Sequence, residues 1–189
     1  MLCWNEQHTA PKAQLSTYLN RYPNGLLVKC KLRVTQQRIA KGEQLLEKFA
    51  YQMQVQAHQL KGKVEGSFAC PILVSWTCCD AHHSSGEYFV ALTFNKVAFG
   101  RQTPEAIKKL IKCWIHNAWA KVLWLKSDTV YPMVKLSPGQ PYTLLSPGKP
   151  EYRCLIEDLE RAFSGHSPHL SAPLEPFRHR QGFYPKGSA

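Results

Sequence analysis

From Val28 to Val34 the chain alternates apolar and cationic residues without a break. Val28, Cys30, Leu32 and Val34 fall on one side, and Lys29, Lys31 and Arg33 fall on the other. Successive side chains of a strand point to opposite faces, so a period of two demands a half-buried β-strand and excludes an amphipathic helix here. Tyr22-Pro23-Asn24-Gly25 forms a turn before it, and the strand runs from Leu26 to Val34. Its inner side needs a core. Its outer side carries three positive charges in line.

The rest of the chain supplies partners for that strand. Gln36 to Leu60 reads as a long amphipathic helix. Leu46, Phe49, Met53, Ala57 and Leu60 recur at steps of three and four, and Lys61-Gly62-Lys63 ends it. Pro71 to Cys79 is a second strand with Ile72, Val74 and Trp76 on one face. Tyr88 to Phe94 is a third, with Tyr88, Val90, Leu92 and Phe94 inward, and the polar turn Asp80 to Gly86 makes the pair a hairpin. Thr103-Pro104-Glu105 starts a helix with a capping hydroxyl, a proline in the first turn and an acid at the positive end of the dipole. That helix runs to about Leu125, with Ile107, Leu110, Ile111, Trp114, Ala118 and Val122 as its buried stripe. Val130 to Leu136 is a fourth strand. After Ser-Pro-Gly turns at Ser137 and Ser146, a third helix covers Pro150 to Phe163, with Tyr152, Leu155, Ile156, Leu159 and Phe163 on one face.

Strand, helix, strand, strand, helix, strand, helix predicts an α+β domain. The expected arrangement is a ferredoxin-like βαββαβ sheet with helices on one face and a C-terminal helix added. Residues 1–24 are then an N-terminal extension with a short helical stretch around Leu15 to Leu19. Residues 25–163 are the domain, and residues 164–189 are a poorly packed tail. The uncovered face, presenting Lys29, Lys31 and Arg33, is left for binding.

Composition narrows the partner. There are 24 Lys and Arg against 13 Asp and Glu, a formal charge of +11. Up to Gly42 seven cations meet one acid, Glu6. Such a balance suits a polyanion or an acidic protein surface; the bland alternative is a merely soluble basic protein. No apolar run reaches the roughly 20 residues that span a bilayer. Met1-Leu2-Cys3-Trp4-Asn5-Glu6 is neither basic nor apolar enough for a secretory signal. A cytosolic location without membrane contact is expected. The 7 cysteines are odd in number and irregular in spacing, which favours reduced thiols over a disulfide framework.

Several residues compete for a functional role. Cys78-Cys79 with His82-His83 are the types that suit zinc. Adjacent residues on a strand alternate faces, however, and no second pair follows at finger-like spacing, so a buried Cys78 and exposed loop histidines are expected. No motif supports Cys/His nucleophilic catalysis. The run Glu157-Asp158-Glu160 is either the solvated face of the third helix or a contact for a basic partner. Trp119 and Trp124 lie off the main helical stripe and are candidates for a protein interface. Phe89, beside the strand cations, can stack a base or anchor a protein contact.

The order of elements and several strings resemble a known family between Leu15 and Phe163. The strings are Leu26-Leu27-Val28-Lys29-Cys30-Lys31-Leu32-Arg33, the Trp76 strand, Glu87-Tyr88-Phe89-Val90-Ala91-Leu92-Thr93-Phe94-Asn95, Asn117-Ala118-Trp119-Ala120 and Arg161-Ala162-Phe163. They are similar to the inovirus gene-two-protein family, also called the YagK/YfjJ C-terminal domain family, of phages and prophage islands. The resemblance implies a Rep-type fold of the HUH endonuclease class. There, two His one residue apart on a strand hold a metal that polarises a DNA phosphate while a tyrosine attacks. This chain departs from that pattern. Glu87 and Phe89 stand at the two His positions, Lys31 where an Asp is expected, and Ala162-Phe163-Ser164-Gly165-His166 offers no tyrosine. No His-x-His string occurs anywhere in the chain.

The resemblance therefore implies a retired enzyme with no metal and no cofactor, encoded by a phage, prophage or satellite and acting in the bacterial cytoplasm. The expected role is binding a phage protein to modulate helper-phage DNA replication or packaging. The alternatives are a non-nicking DNA-binding protein at an origin or packaging site, and an active nuclease with an unrecognised site.

Overall fold

The computed structural model describes residues 11–59, 70–79, 86–136, 142–146, 148–163 and 169–171. Helix α1 (Pro11–Arg21) precedes strand β1 (Gly25–Arg33), which lies inside an antiparallel sheet. A 3-10 segment (Gln36–Lys41) and helix α2 (Gly42–His58) lead to β2 (Ile72–Cys78). The hairpin partner β3 (Glu87–Asn95) returns between β2 and β1. Helix α3 (Pro104–Leu123) and the short α4 (Ser127–Val130) then lead to β4 (Val134–Leu136). Strand β5 (Tyr142–Leu145), helix α5 (Pro150–Phe163) and β6 (His169–Ser171) follow.

The strand order is β4-β1-β3-β2-β6. β4 and β5 share one edge of β1: β4 pairs with Cys30 to Leu32 and β5 with Gly25 to Val28. The register sets Val28 opposite Leu92 and Leu92 opposite Val74. Alternation then places Leu26, Val28, Cys30 and Leu32 on one face with Val74, Trp76, Val90 and Leu92.

Helices α2 and α3 bury that face together, as their stripes predict. Leu46, Phe49, Met53 and Ala57 of α2 meet Ile107, Ile111, Trp114, Ala118 and Val122 of α3 in a single core. Phe49 and Trp119 meet edge to face at 5.7 Å. The Gln56 side chain donates to the Trp114 carbonyl at 3.0 Å, satisfying a polar group inside the helix pair. At the start of α3 the Thr103 hydroxyl accepts from Ala106 N at 3.3 Å, the expected cap. At the start of α2, a Cβ on Gly42 would collide with the Tyr88 hydroxyl, so the close approach of helix to strand requires glycine there.

The other face is not left open along its length, which corrects the expectation of helices on one face only. Leu15, Tyr18 and Leu19 of α1 and Ile156 and Leu159 of α5 pack over Leu27, Leu73, Ala91 and Leu145. The reason is local. Leu27, Leu73 and Ala91 are apolar at outward-pointing positions, and covering a leucine side chain is worth about 2 kcal/mol. The segment expected as an N-terminal extension thus contributes α1 to this second core. Three residues of the expected tail form β6 and pair with Val74 to Trp76.

Other differences are of extent. The helix expected from Gln36 begins as 3-10 and becomes α-helical at Gly42. The fourth strand is confined to Val134–Leu136 because Ser127 to Met133 turns helically. Leu60, Lys61 to Lys63 and most of the Asp80 to Gly86 turn lie outside the described residues. No helix among the described residues is long and apolar enough to cross a membrane.

Candidate binding surface

Along the outward positions of β1 the environment changes stepwise. Leu27 is covered by the second core, Lys29 is half-buried, and Lys31 and Arg33 are exposed. The expected cationic row is therefore displaced towards the C-terminal end of the strand. Neighbouring strands widen it. Lys135 of β4 lies opposite Lys31 on one side, and Phe89 of β3 lies opposite Lys31 on the other. Residues paired this way sit about 5 Å apart at Cα. Lys135 was not singled out from the sequence; its signal was the short alternation Val134-Lys135-Leu136 at the expected edge strand.

Glu87 lies opposite Arg33, and its carboxylate meets Lys135 Nζ at 4.0 Å. The lysine side chain is 69% exposed and the glutamate 27%, so this pair contributes about 0–1 kcal/mol. Its main effect is on charge. Among the described residues, one carboxylate stands with Lys29, Lys31, Arg33 and Lys135, so this patch is positive. Phe89 is half-buried against the second core and marks the border between the covered and the cationic parts of the face.

The positions equated with a metal site come together geometrically. Glu87 and Phe89 project from the same face of β3, and Lys31 pairs with Phe89. What occupies them is a carboxylate engaged by a lysine, a phenyl ring and an ammonium group. Among the described residues no three His, Cys, Asp or Glu side chains gather as metal ligands. Tyr88, between Glu87 and Phe89, points into the first core, where burial pushes its hydroxyl up to about 12.

The thiols are placed for packing. Cys78 is buried in the first core, and its Sγ donates to the Glu87 carbonyl at 3.6 Å. Cys79 is exposed on the opposite side, so the adjacent pair does alternate faces. His82 and His83 lie outside the described residues. Partial burial raises the Cys79 thiol above its ordinary value despite the nearby Lys31 cation. Burial pushes Cys30 and Cys70 up to about 12, and such thiols are inert.

The two tryptophans considered for an interface part company. Trp119 is 0% exposed; its Nε1 donates to the Arg33 carbonyl at 3.1 Å. It is core, not interface, because α3 is buried on two sides and not along one stripe. Trp124 is 88% exposed. It follows the last turn of α3 with φ 53° and ψ 39°, in the left-handed region. Leu125 N–H donates to the Ala120 carbonyl at 3.0 Å and Trp124 N–H to the Lys121 carbonyl at 3.3 Å, the pattern of a Schellman terminus. Arg38 closes the same end: its Nη1 donates to the Leu123 carbonyl at 2.7 Å. On α5, Arg153 pairs with Glu157 at 3.2 Å, and Glu157 and Asp158 are exposed. Comparison with protein-family models, with curated proteins and with solved structures finds no match to this chain.

Proposed function

We propose that this chain is a non-catalytic binding protein of a phage, prophage or satellite, built on the ferredoxin-like core of a Rep-type protein. It docks its cationic sheet surface onto an acidic surface of a phage protein and so modulates helper-phage replication or packaging. The observation that carries the reading is the cluster of Lys29, Lys31, Arg33 and Lys135 around a single carboxylate, Glu87, at the exposed end of the outward face. Aligned like charges repel one another, so solubility alone would be served as well by interspersed acids. A complementary partner relieves that repulsion, and charge of one sign speeds encounter and fixes register. The ferredoxin-like assignment is supported by the antiparallel order β4-β1-β3-β2 and by the helices joining β1 to β2 and β3 to β4. The identification with phage elements rests on the sequence resemblance. The absence of nuclease chemistry rests on Glu87, Phe89 and Lys31 at the positions such chemistry would use.

A second reading, a non-nicking DNA-binding protein at an origin or packaging site, draws on the same cations. Alternate residues of β1 recur about every 7 Å, a spacing able to meet successive phosphates. Salt separates the two readings. Phosphate contacts give a steep loss of affinity between low and moderate salt, whereas a protein interface with an apolar centre loses less. The test compares the parent with Lys31→Glu, Arg33→Glu and Lys135→Glu combined, using phage-infected lysate and DNA as separate targets. Lys29 is spared because it is half-buried. Loss of the lysate partner with an unchanged circular dichroism spectrum supports the first reading.

A further inference from the structure

Trp124 breaks two local rules at once. A large apolar side chain stands 88% exposed, and its backbone holds φ 53°, where a Cβ is unfavourable and glycine is the usual occupant. It is the only non-glycine residue with positive φ among the described residues. A chain selected for stability alone would place glycine there. Features that cost stability without a packing return point to function.

The surroundings say what kind of contact suits it. Arg38 is held on the carbonyl of Leu123, the residue before Trp124, so a guanidinium lies at the same terminus of α3. Lys121 and Lys126 flank it in sequence and are exposed. The Trp119 indole binds the Arg33 carbonyl one and a half turns earlier in α3, about 7.5 Å along the axis at 1.5 Å per residue. The C-terminal end of β1 and the Trp124 terminus of α3 therefore lie at one end of the molecule, with the Arg33 side chain on the opposite side of the sheet from α3. Tyr131, 56% exposed, tilts over His116 at 4.4 Å and presents a second exposed aromatic ring in the segment after α4. The exposed carboxylate of Asp128 interrupts the cations four residues after Trp124. A continuous phosphate chain is repelled by that carboxylate, whereas a protein segment can place groups of either sign around an apolar centre. An aromatic anchor with a charged rim is the usual anatomy of a protein hot spot.

We infer that Trp124 is the apolar anchor of a protein-docking surface that takes an acidic segment carrying a large apolar side chain, with Arg38, Lys121 and Lys126 meeting its carboxylates. This deepens the reading of the chain as a binding protein and rests on it. The apolar contact supplies the affinity, and the cations supply orientation and speed of encounter.

The test uses defined probes. One labelled peptide carries leucine and phenylalanine among glutamates, a second of equal length carries glutamate alone, and a third probe is an oligothymidylate of matching charge. Each is titrated against the parent, Trp124→Gly, and the Lys31→Glu, Arg33→Glu, Lys135→Glu combination. Glycine suits the left-handed terminus, so the first variant keeps the fold. The mixed peptide is expected to bind the parent about tenfold more tightly than Trp124→Gly, as for a hot-spot residue. The glutamate-only peptide is expected to bind both alike. Equal binding of the mixed peptide to both proteins, or none to the parent, overturns the inference. So does a loss confined to the oligothymidylate, which would make the occupant a nucleic acid. If the charge-reversed protein binds every probe as the parent does while Trp124→Gly still weakens the mixed peptide, the cationic sheet reading fails and the Trp124 anchor stands.

Discussion

The Trp119 indole nitrogen donates to the main-chain oxygen of Arg33 across 3.1 Å, tying the last turns of α3 to the end of β1. The same ring meets Phe49 of α2 edge to face, so one side chain joins three elements. Trp119→Phe removes the donor and leaves the Arg33 carbonyl without it, at a cost of about 1–3 kcal/mol. Trp119→Ala adds a cavity and costs about 3–5 kcal/mol. Urea denaturation measures both. Neither change removes a cation, so binding by the folded Trp119→Phe protein should match the parent.

Trp124, five residues on, should behave oppositely. Its side chain contributes little packing and its backbone is in the left-handed region. Removing the Cβ there relieves about 1 kcal/mol. Trp124→Gly is therefore expected to raise the urea midpoint while weakening docking. A lowered midpoint would show that the exposed ring supports the fold.

Alkaline pH should unfold the protein through its buried thiols. Cys30 and Cys70 are pushed from the ordinary 9.0 up to about 12 by burial, the largest cause in each case. The unfolded chain releases these protons first, so the folded state holds more protons above about 9. Their contribution to stability is whole below that pH and is lost as pH rises through about 12. Unfolding midpoints measured at increasing alkaline pH should fall, and less steeply in Cys30→Ala. In the native state Cys79, Cys113 and Cys154 should react with a thiol reagent and Cys30, Cys70 and Cys78 should not, since only the first three are exposed.

How far the fold can be read from the sequence depends on how local its cause is. Val28, Cys30 and Leu32 declare their face by alternation, and Thr103-Pro104-Glu105 declares the start of α3, because strand pleat and helix capping act over a few residues. The extent of α5, Pro150–Phe163, was legible from apolar residues at helical spacing, which also act over a few turns. Leu27, Leu73 and Ala91 were not. Each is a single apolar residue at an outward position, and only the distant α1 and α5 make a second core of them. Trp119 was misplaced because a single helical stripe cannot represent a helix buried on two sides. β5 and β6 are short and depend on the edges of strands far away in sequence. On the cationic patch, Lys31, Arg33 and Phe89 were legible from alternation, with Glu87 brought beside them by register. The partial burial of Lys29 and the bond of Arg38 to the Leu123 carbonyl depend on tertiary packing.

We propose that the cationic end of the outward sheet face is a docking surface. The most direct measurement is retention of proteins from phage-infected bacteria by the immobilised parent and by the Lys31→Glu, Arg33→Glu, Lys135→Glu protein, with nucleic acid digested beforehand. A phage-encoded protein is expected to be retained by the parent and lost by the equally folded variant. Retention of the same protein by both, or loss of all retention from the parent once nucleic acid is digested, would contradict it.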